Sequence, residues 1–167
     1  MLNQNLYKAI CRYVGRFSSD EELVKDIVQE VFLRFEQNRQ NVTNTRSWLY
    51  RTARNLIIDY CRRRNHAAYP VAIGDMIKTI PANIINYNPQ NISEKKENIN
   101  MMIKELNNLS QRHREVLRLK FQEGLKYAEI AEVINEPITT VSWLLHEALD
   151  KLRKKLNVNQ NDISAST

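Results

Sequence analysis

The chain has 167 residues, of which 43% are hydrophobic and 26% charged, and its net charge is +6. This length is enough for one medium domain or two small ones, each with a modest core of its own. No apolar run approaches the roughly 18 residues that a membrane-spanning helix needs, and polar residues interrupt the N-terminus, so we expect neither a signal peptide nor membrane insertion.

Positive charge is concentrated in the first part of the chain. Residues 1–69 hold 12 Lys and Arg against 7 Asp and Glu, a net charge of +5, whereas residues 107–156 hold 9 against 7, a net charge of +2. A basic first half favours a polyanionic partner such as nucleic acid. Ordinary solvated surface charge is the alternative.

Apolar residues at helical spacing predict two helices before residue 38. The first covers residues 2–17, and the second begins at Ser18 or Ser19, where an acidic residue three positions later completes a capping box, and ends near Gln37. The second helix has one broad apolar arc, which we assign to the core. Its opposite arc is polar apart from one leucine and consists of Asp26, Gln29, Glu30 and Leu33. That arc is either solvated surface or a docking face for a partner.

An asparagine-rich loop, residues 38–45, precedes a long third helix that Thr45 can cap and that extends from Arg46 to about Arg64. Its predicted buried stripe is Leu49, Ala53, Leu56, Ile57 and Tyr60. The opposite face carries Trp48, Arg51, Asn55, Asp59 and Arg62, with Arg54 and Arg63 nearby. Guanidinium groups attract phosphate, and an indole and amides can stack on or hydrogen-bond an unpaired base, so this face suits opened DNA. A solvated basic helix, with Trp48 at the edge of the core, is the alternative.

Helical periodicity is lost between residues 67 and 92, which contain three prolines and several asparagines. We therefore predict two domains, residues 1–66 and 93–157, joined by a flexible linker at 67–92 and followed by a disordered tail at 158–167. The predicted fold class is all-α, with two small helical domains.

The second domain has the layout of a helix-turn-helix. Ser110 caps a helix that Gly124 ends, and the next helix has the inner face Tyr127, Ile130, Ala131 and Ile134. Residues 135–137 form the turn, and Thr139 or Thr140 caps the second helix of the unit. Its predicted buried stripe is Val141, Leu145, Ala148 and Leu152, and Leu144 is a candidate to widen it. A helical hairpin without a DNA role would show the same spacing.

The outer face of that last helix is unusual for a DNA reader because residues 139–150 include no Lys or Arg. Trp143, His146 and Asp150 point outward by helical angle, and Ser142 and Glu147 flank them. An exposed indole usually marks a contact with DNA or with a protein, unless neighbouring helices partly bury it.

No residue pattern argues for catalysis. The three histidines lack metal-ligand spacing, there is no Gly-rich phosphate loop, and Cys61 has no evident base. Neither Cys11 nor Cys61 has a CxxC partner, which indicates two reduced thiols and a cytoplasmic location. We expect no enzymatic activity, no metal and no cofactor.

Two blocks of the chain resemble the extracytoplasmic-function (group 4) sigma factors of the sigma-70 family. Residues 26–35 (DIVQEVFLRF) and 46–64 (RSWLYRTARNLIIDYCRRR) are similar to region 2. Residues 109–141 (LSQRHREVLRLKFQEGLKYAEIAEVINEPITTV), continuing to Arg153, are similar to region 4. The resemblance implies a region 2-like bundle of three or four helices and a region 4-like helix-turn-helix domain.

This resemblance also implies a function, which is to bind core RNA polymerase, direct it to promoters and help melt the DNA. The arc of Asp26, Gln29, Glu30 and Leu33 would dock on the clamp helices of the β′ subunit, and region 4 would meet the β flap. The −10 element would be contacted by Asn38, Asn41, Trp48, Arg51, Asn55, Asp59, Arg62 and Arg63. The −35 element would be read by Thr139, Thr140, Ser142, Trp143 and His146. Such factors often have an anti-sigma factor as a further partner.

The chain departs from the family pattern mainly in region 4. Relatives commonly have Ser or Thr at the position of Lys126, and basic residues at those of Ser142, Leu144 and Glu147. Loss of these charges removes phosphate anchoring, so we expect weak or unusual −35 recognition. Two alternatives stay open: a DNA-binding regulator that does not join polymerase, and a sigma-like protein whose region 4 binds a protein through Trp143.

Overall fold

The computed structural model describes residues 4–63 and 102–164, with side chains up to residue 154. Regular structure in these ranges is entirely helical, which confirms the all-α prediction. The first range contains α1 (Gln4–Gly15), α2 (Glu21–Asn38), a 3-10 turn (Arg39–Asn41) and α3 (Thr45–Arg63). In the second, helical residues 102–108 precede α4 (Gln111–Phe121), α5 (Tyr127–Ile134) and α6 (Ile138–Ser164). The predicted linker at 67–92 lies outside the described residues.

The N-terminal caps of α2 and α3 are provided by residues other than those predicted. The Asp20 carboxylate accepts hydrogen bonds from the backbone N–H groups of Glu22 and Leu23, at 3.1 and 3.2 Å, so Asp20 is the N-cap of α2. The prediction of Ser18 or Ser19 was wrong, because the Ser18 hydroxyl is used one step earlier, accepting from the N–H of Asp20. For α3, Asn44 rather than Thr45 accepts from the first N–H groups, those of Arg46 and Ser47.

The Asp20 cap leads to a stability prediction. We expect Asp20→Ala to lower the free energy of unfolding by about 1 kcal/mol, because two N–H groups of the first turn lose their acceptor. Ser19→Ala is the matched control one residue away, and it should change stability by less than about half that amount. Urea unfolding followed by circular dichroism measures both variants. Equal effects of the two substitutions would contradict the capping assignment.

In the second range, some helix ends agree with those predicted from the sequence and others do not. Ser110 accepts from the N–H of His113, as predicted, and Gly124 ends the turn after α4 with a φ of +63°, which favours glycine. Helix α6 begins at Ile138, so Thr139 and Thr140 lie within its first turn rather than at the predicted N-cap position. It also extends to Ser164, past residue 158, where the disordered tail was predicted to begin. The physical reason is that residues 138–164 contain neither Gly nor Pro to end the helix.

Packing confirms most of the predicted core. Leu49, Ala53 and Ile57 of α3 are fully buried against α1 and α2, and Leu144 joins the buried stripe of α6. Helix α5 differs from the prediction, because Tyr127 is 39% exposed whereas Val133 is completely buried. Since α5 contacts both α3 and α6, its buried side is turned towards both neighbours.

The two predicted domains pack against each other. Helix α5, the first helix of the helix-turn-helix, lies on α3, and the α4 residue Arg118 is almost completely buried with its guanidinium 4.8 Å from the centre of the Tyr13 ring. The two described ranges therefore share one continuous body. None of the helices in these ranges is long and apolar enough to span a membrane.

Candidate nucleic-acid interface

The outer arc of α2 presents a leucine among polar side chains. Asp26, Gln29 and Leu33 are exposed, and the Leu33 side chain retains 55% of its accessible surface. Glu30 is half-buried, and its carboxylate accepts from Arg34 Nε at 2.6 Å across one helical turn. The Leu33 side chain therefore adds little to the core and is accessible to a second macromolecule.

The segment predicted as a loop before α3 is more ordered than expected. Asn38 is the last residue of α2, and its side-chain amide donates to the carbonyl oxygen of Arg34 at 2.8 Å. Asn41 lies exposed in the 3-10 turn. Of the two asparagines assigned to base contacts, Asn38 is thus engaged in ending a helix.

The outer face of α3 divides into an exposed half and a packed half. Asn55, Asp59, Arg62 and Arg63 are exposed, and Arg62 Nη1 lies 3.6 Å from Asp59 Oδ1 in a solvent-exposed ion pair. Arg51 is half-buried. Trp48 is also half-buried, with its ring 5.8 Å from that of Phe35, so it lies at the edge of the core. A polar face with two arginines therefore remains accessible at the C-terminal half of α3, whereas Trp48 lies in the N-terminal half.

Three arginines of the first range bind oxygen acceptors of the second range. Arg54 forms a two-pronged ion pair with Glu115 of α4, through Nε at 2.6 Å and Nη2 at 3.1 Å. Arg16 pairs with Glu123, which lies just beyond α4, and Arg46 donates to the backbone carbonyl of Glu123. We name this group of contacts the interdomain clasp. Arg54 had been predicted to lie near the face that attracts phosphate, but it is bound to Glu115.

Tyr50 completes the interdomain clasp from the buried side. Its hydroxyl donates to Glu123 Oε2 at 2.8 Å, and Glu123 is itself 8% exposed. Burial, with the adjacent Glu123 carboxylate as a second cause, raises the pKa of Tyr50 well above its usual value. The hydroxyl therefore stays protonated and remains a donor to the carboxylate at any pH the protein meets.

The outer face of α6 is exposed and carries no charge over its first turns. Thr139, Ser142, Trp143 and His146 are exposed, and Thr140 is half-buried. Trp143 is 61% exposed, so the alternative that neighbouring helices bury it was wrong. Hydroxyl, indole and imidazole groups can hydrogen-bond base edges or contact a thymine methyl group, but they cannot neutralise phosphate as Lys or Arg would.

Glu147 lies at the edge of this face beside α4. Its Oε2 is 2.9 Å from Nε2 of the buried His113, and its Oε1 is 2.7 Å from Nζ of Lys151. Hydrogen bonds from Lys151 and His113, in that order, lower the pKa of Glu147. The carboxylate is thus ionised and already bound within the protein.

Neither a metal nor a nucleophile stands out in the part of the chain that the structure describes. There, no three His, Cys, Asp or Glu side chains are close enough together to hold a metal ion. Cys11 and Cys61 are free thiols, and burial raises the pKa of Cys61, which makes its thiolate scarce.

Comparisons with known proteins identify both halves of the chain. The family model for sigma-70 region 2 matches residues 2–67, and the model for sigma-70 region 4 matches residues 106–154. The chain is 31% identical to the ECF RNA polymerase sigma factor SigW of Bacillus subtilis, over 90% of this chain and 82% of that protein. It is 29% identical to the ECF RNA polymerase sigma factor SigL of Mycobacterium tuberculosis, over 87% and 81%.

A solved structure has a similar fold. The sigma factor RpoE of Bartonella quintana, determined in complex with the anti-sigma factor NepR, superposes with a TM-score of 0.57. The superposition covers 93% of this chain and 94% of that one, at 21% sequence identity.

Proposed function

The chain belongs to the extracytoplasmic-function sigma factors of the sigma-70 family, which direct core RNA polymerase to promoters, and we propose that it does so through three separate surfaces. The α2 arc of Asp26, Gln29, Glu30 and Leu33 docks on the β′ clamp helices. The α3 face binds the −10 element, using Trp48, Arg51, Asn55, Asp59, Arg62 and Arg63 together with Asn38 and Asn41 before it. The first turns of α6, with Thr139, Thr140, Ser142, Trp143 and His146, read the −35 element, and region 4 meets the β flap.

The observation that carries this proposal is that each of the three surfaces has exposed residues, on a chain with region 2 and region 4 in family order. Leu33, Asn55, Arg62 and Trp143 are exposed on the helices where the family's contacts would fall. Residues 1–66 and 93–157 are the proposed functional domains. The protein acts as an initiation factor rather than an enzyme, in the cytoplasm with RNA polymerase. The RpoE complex supports an anti-sigma factor as a further partner.

The packed arrangement of the two domains must open during this function. The −10 and −35 elements lie about 25 base pairs apart, which at about 3.4 Å per base pair is roughly 85 Å along the helix axis. Helices α3 and α5 are in direct contact, so their domains cannot hold both elements at once. The 38 residues between the described ranges can reach at most roughly 130 Å when extended. We therefore assign the packed arrangement to the DNA-free protein.

In vitro transcription with core polymerase and a genomic DNA library tests the function. We expect a discrete set of transcripts that requires the chain, with start sites that share a −10 sequence and a weaker −35 sequence. The weaker −35 sequence follows from the uncharged face of α6. Random initiation, or no change when the chain is added, would contradict the proposal. Binding of the chain to duplex DNA without any association with core enzyme would instead support a polymerase-independent regulator.

A further inference from the structure

A chain of hydrogen bonds links the start of α4 to the middle of α6. The Ser110 hydroxyl lies 2.7 Å from His113 Nδ1, and His113 Nε2 lies 2.9 Å from Glu147 Oε2. Lys151 holds the other oxygen of Glu147 at 2.7 Å. His113 is 6% exposed, and its ring centre lies 6.3 Å from that of Trp143. Trp143, Glu147 and Lys151 lie at successive turns along one edge of α6. The buried His113 ring lies close to the first two of these residues.

A neutral imidazole satisfies every group in this chain of bonds. The Glu147 carboxylate only accepts, so Nε2 of His113 carries the hydrogen and donates to it. Nδ1 is then an acceptor and receives the hydroxyl hydrogen of Ser110. The Ser110 oxygen in turn accepts the backbone N–H of His113, at 3.4 Å, as the N-cap of α4. Because His113 is buried, these hydrogen bonds fix the orientation of its ring, and the ring in turn fixes the position of the Glu147 carboxylate.

The position of Glu147 matters because the rest of the reading face is uncharged. Residues 139–150 contain no Lys or Arg, so Lys151, which binds Oε1, is the cation that would partly offset an outward Glu147 carboxylate near DNA phosphate. Resting on the proposed −35 role of α6, we propose that His113 is a positioning residue for DNA recognition. It holds the Glu147 carboxylate against α4 and away from the phosphates, leaving Thr139, Ser142, Trp143 and His146 to face the groove.

A competing role for Glu147 is to read a base directly, since a carboxylate can accept from the N4 amino group of cytosine. In that case the carboxylate would need to turn outward, and Glu147→Gln would change the preferred base at one −35 position. The two roles therefore differ in the effect of Glu147→Gln. Our proposal expects that variant to keep the base preference of the parent.

The experiment measures promoter affinity of the full chain bound to core polymerase, by fluorescence anisotropy at several salt concentrations. Two DNAs are compared: a promoter recovered by the transcription experiment, and the same DNA with its −35 element scrambled. The variants are His113→Leu, which fills the site without ring nitrogens, Glu147→Gln, and both together. Thermal unfolding of each variant measures how much stability is lost when the buried hydrogen bonds are removed.

We expect His113→Leu to weaken binding about threefold to tenfold on the intact promoter and to make the salt dependence shallower. An exposed Glu147 carboxylate should change the slope of log K against log salt by less than the full value of about 0.9, because Lys151 still pairs with it. Adding Glu147→Gln should restore both affinity and slope even though the double variant stays less stable, which a purely structural role would not do.

Three results would overturn the proposal. The first is an unchanged affinity and slope in His113→Leu, and the second is a loss that Glu147→Gln fails to restore. The third is a changed base preference in Glu147→Gln. If scrambling the −35 element leaves the affinity of the parent protein unchanged, the assignment of α6 to the −35 element fails. This failure can be told apart from failure of the His113 proposal, because it is seen with the unsubstituted protein.

Discussion

Replacing Asp26, Gln29 and Leu33 together by alanine is expected to abolish promoter-dependent transcription while leaving the protein folded. All three side chains are exposed on α2, and the structure gives none of them a place in the core. Burying a leucine against a partner contributes roughly 1.5–3 kcal/mol, and Leu33 starts 55% exposed. Leu33→Ala alone should therefore weaken binding to core polymerase about fivefold, or roughly 1 kcal/mol.

Two assays separate docking from DNA binding in this prediction. Co-purification with core enzyme measures docking, and transcription from a pre-melted template measures initiation without the need to open the duplex. The triple variant should fail in both, and circular dichroism should match the parent. A control pair on α1, Gln4→Ala and Lys8→Ala, changes exposed side chains outside the α2 arc. Transcription at the parent level by the triple variant would refute the docking surface.

The parts of this fold that sequence could predict are those that depend on local spacing. The stripe of Leu49, Ala53 and Ile57 follows from the helical period alone, and Gly124 follows from the backbone geometry of a helix end. Caps were harder to predict, because serines and Asp20 are adjacent candidates before α2. Only the path of the backbone decides which oxygen reaches the free N–H groups.

Long-range contacts explain the rest of what sequence missed. Arg54 and Glu115 are 61 positions apart, and nothing in either segment indicates that they meet. Helical angle places Glu147 on the outer flank of the last helix, at a position where relatives commonly have a basic residue. Its pairing with His113, 34 positions earlier, depends on how α4 packs on α6. Charges that look free in a sequence were thus bound in the structure. The candidate DNA surface on α3 is less basic than it appeared, and the one on α6 is less acidic.

Opening of the two domains gives the second large prediction. Glu115 is 5% exposed and its partner Arg54 has only 21% of its side chain accessible, so the pair is largely removed from solvent. Removing one member of such a pair costs about 3–5 kcal/mol. We therefore expect Glu115→Arg, which sets two cations against each other, to shift the free protein from the packed to the open arrangement. Arg54→Glu should do the same with two carboxylates.

Small-angle X-ray scattering measures this change without labels. A compact chain of this length should have a radius of gyration near 15 Å, and separated domains should give a clearly larger value. The double variant Arg54→Glu/Glu115→Arg restores opposite charges and should return towards the compact value. This double-mutant comparison isolates the pair from any other contact that either residue makes. Identical scattering from all four proteins would show that the pair does not hold the domains together.

Polymerase binding provides an independent measure of the same equilibrium. If only the open form binds promoter and polymerase together, the packed form lowers the apparent affinity in proportion to its population. Glu115→Arg changes no residue of the α2 arc and leaves Arg54 in place, so it should bind core enzyme more tightly than the parent. The double variant should lose that gain. Weaker binding of Glu115→Arg to core enzyme would mean instead that the interdomain clasp stays intact when the protein is bound to polymerase.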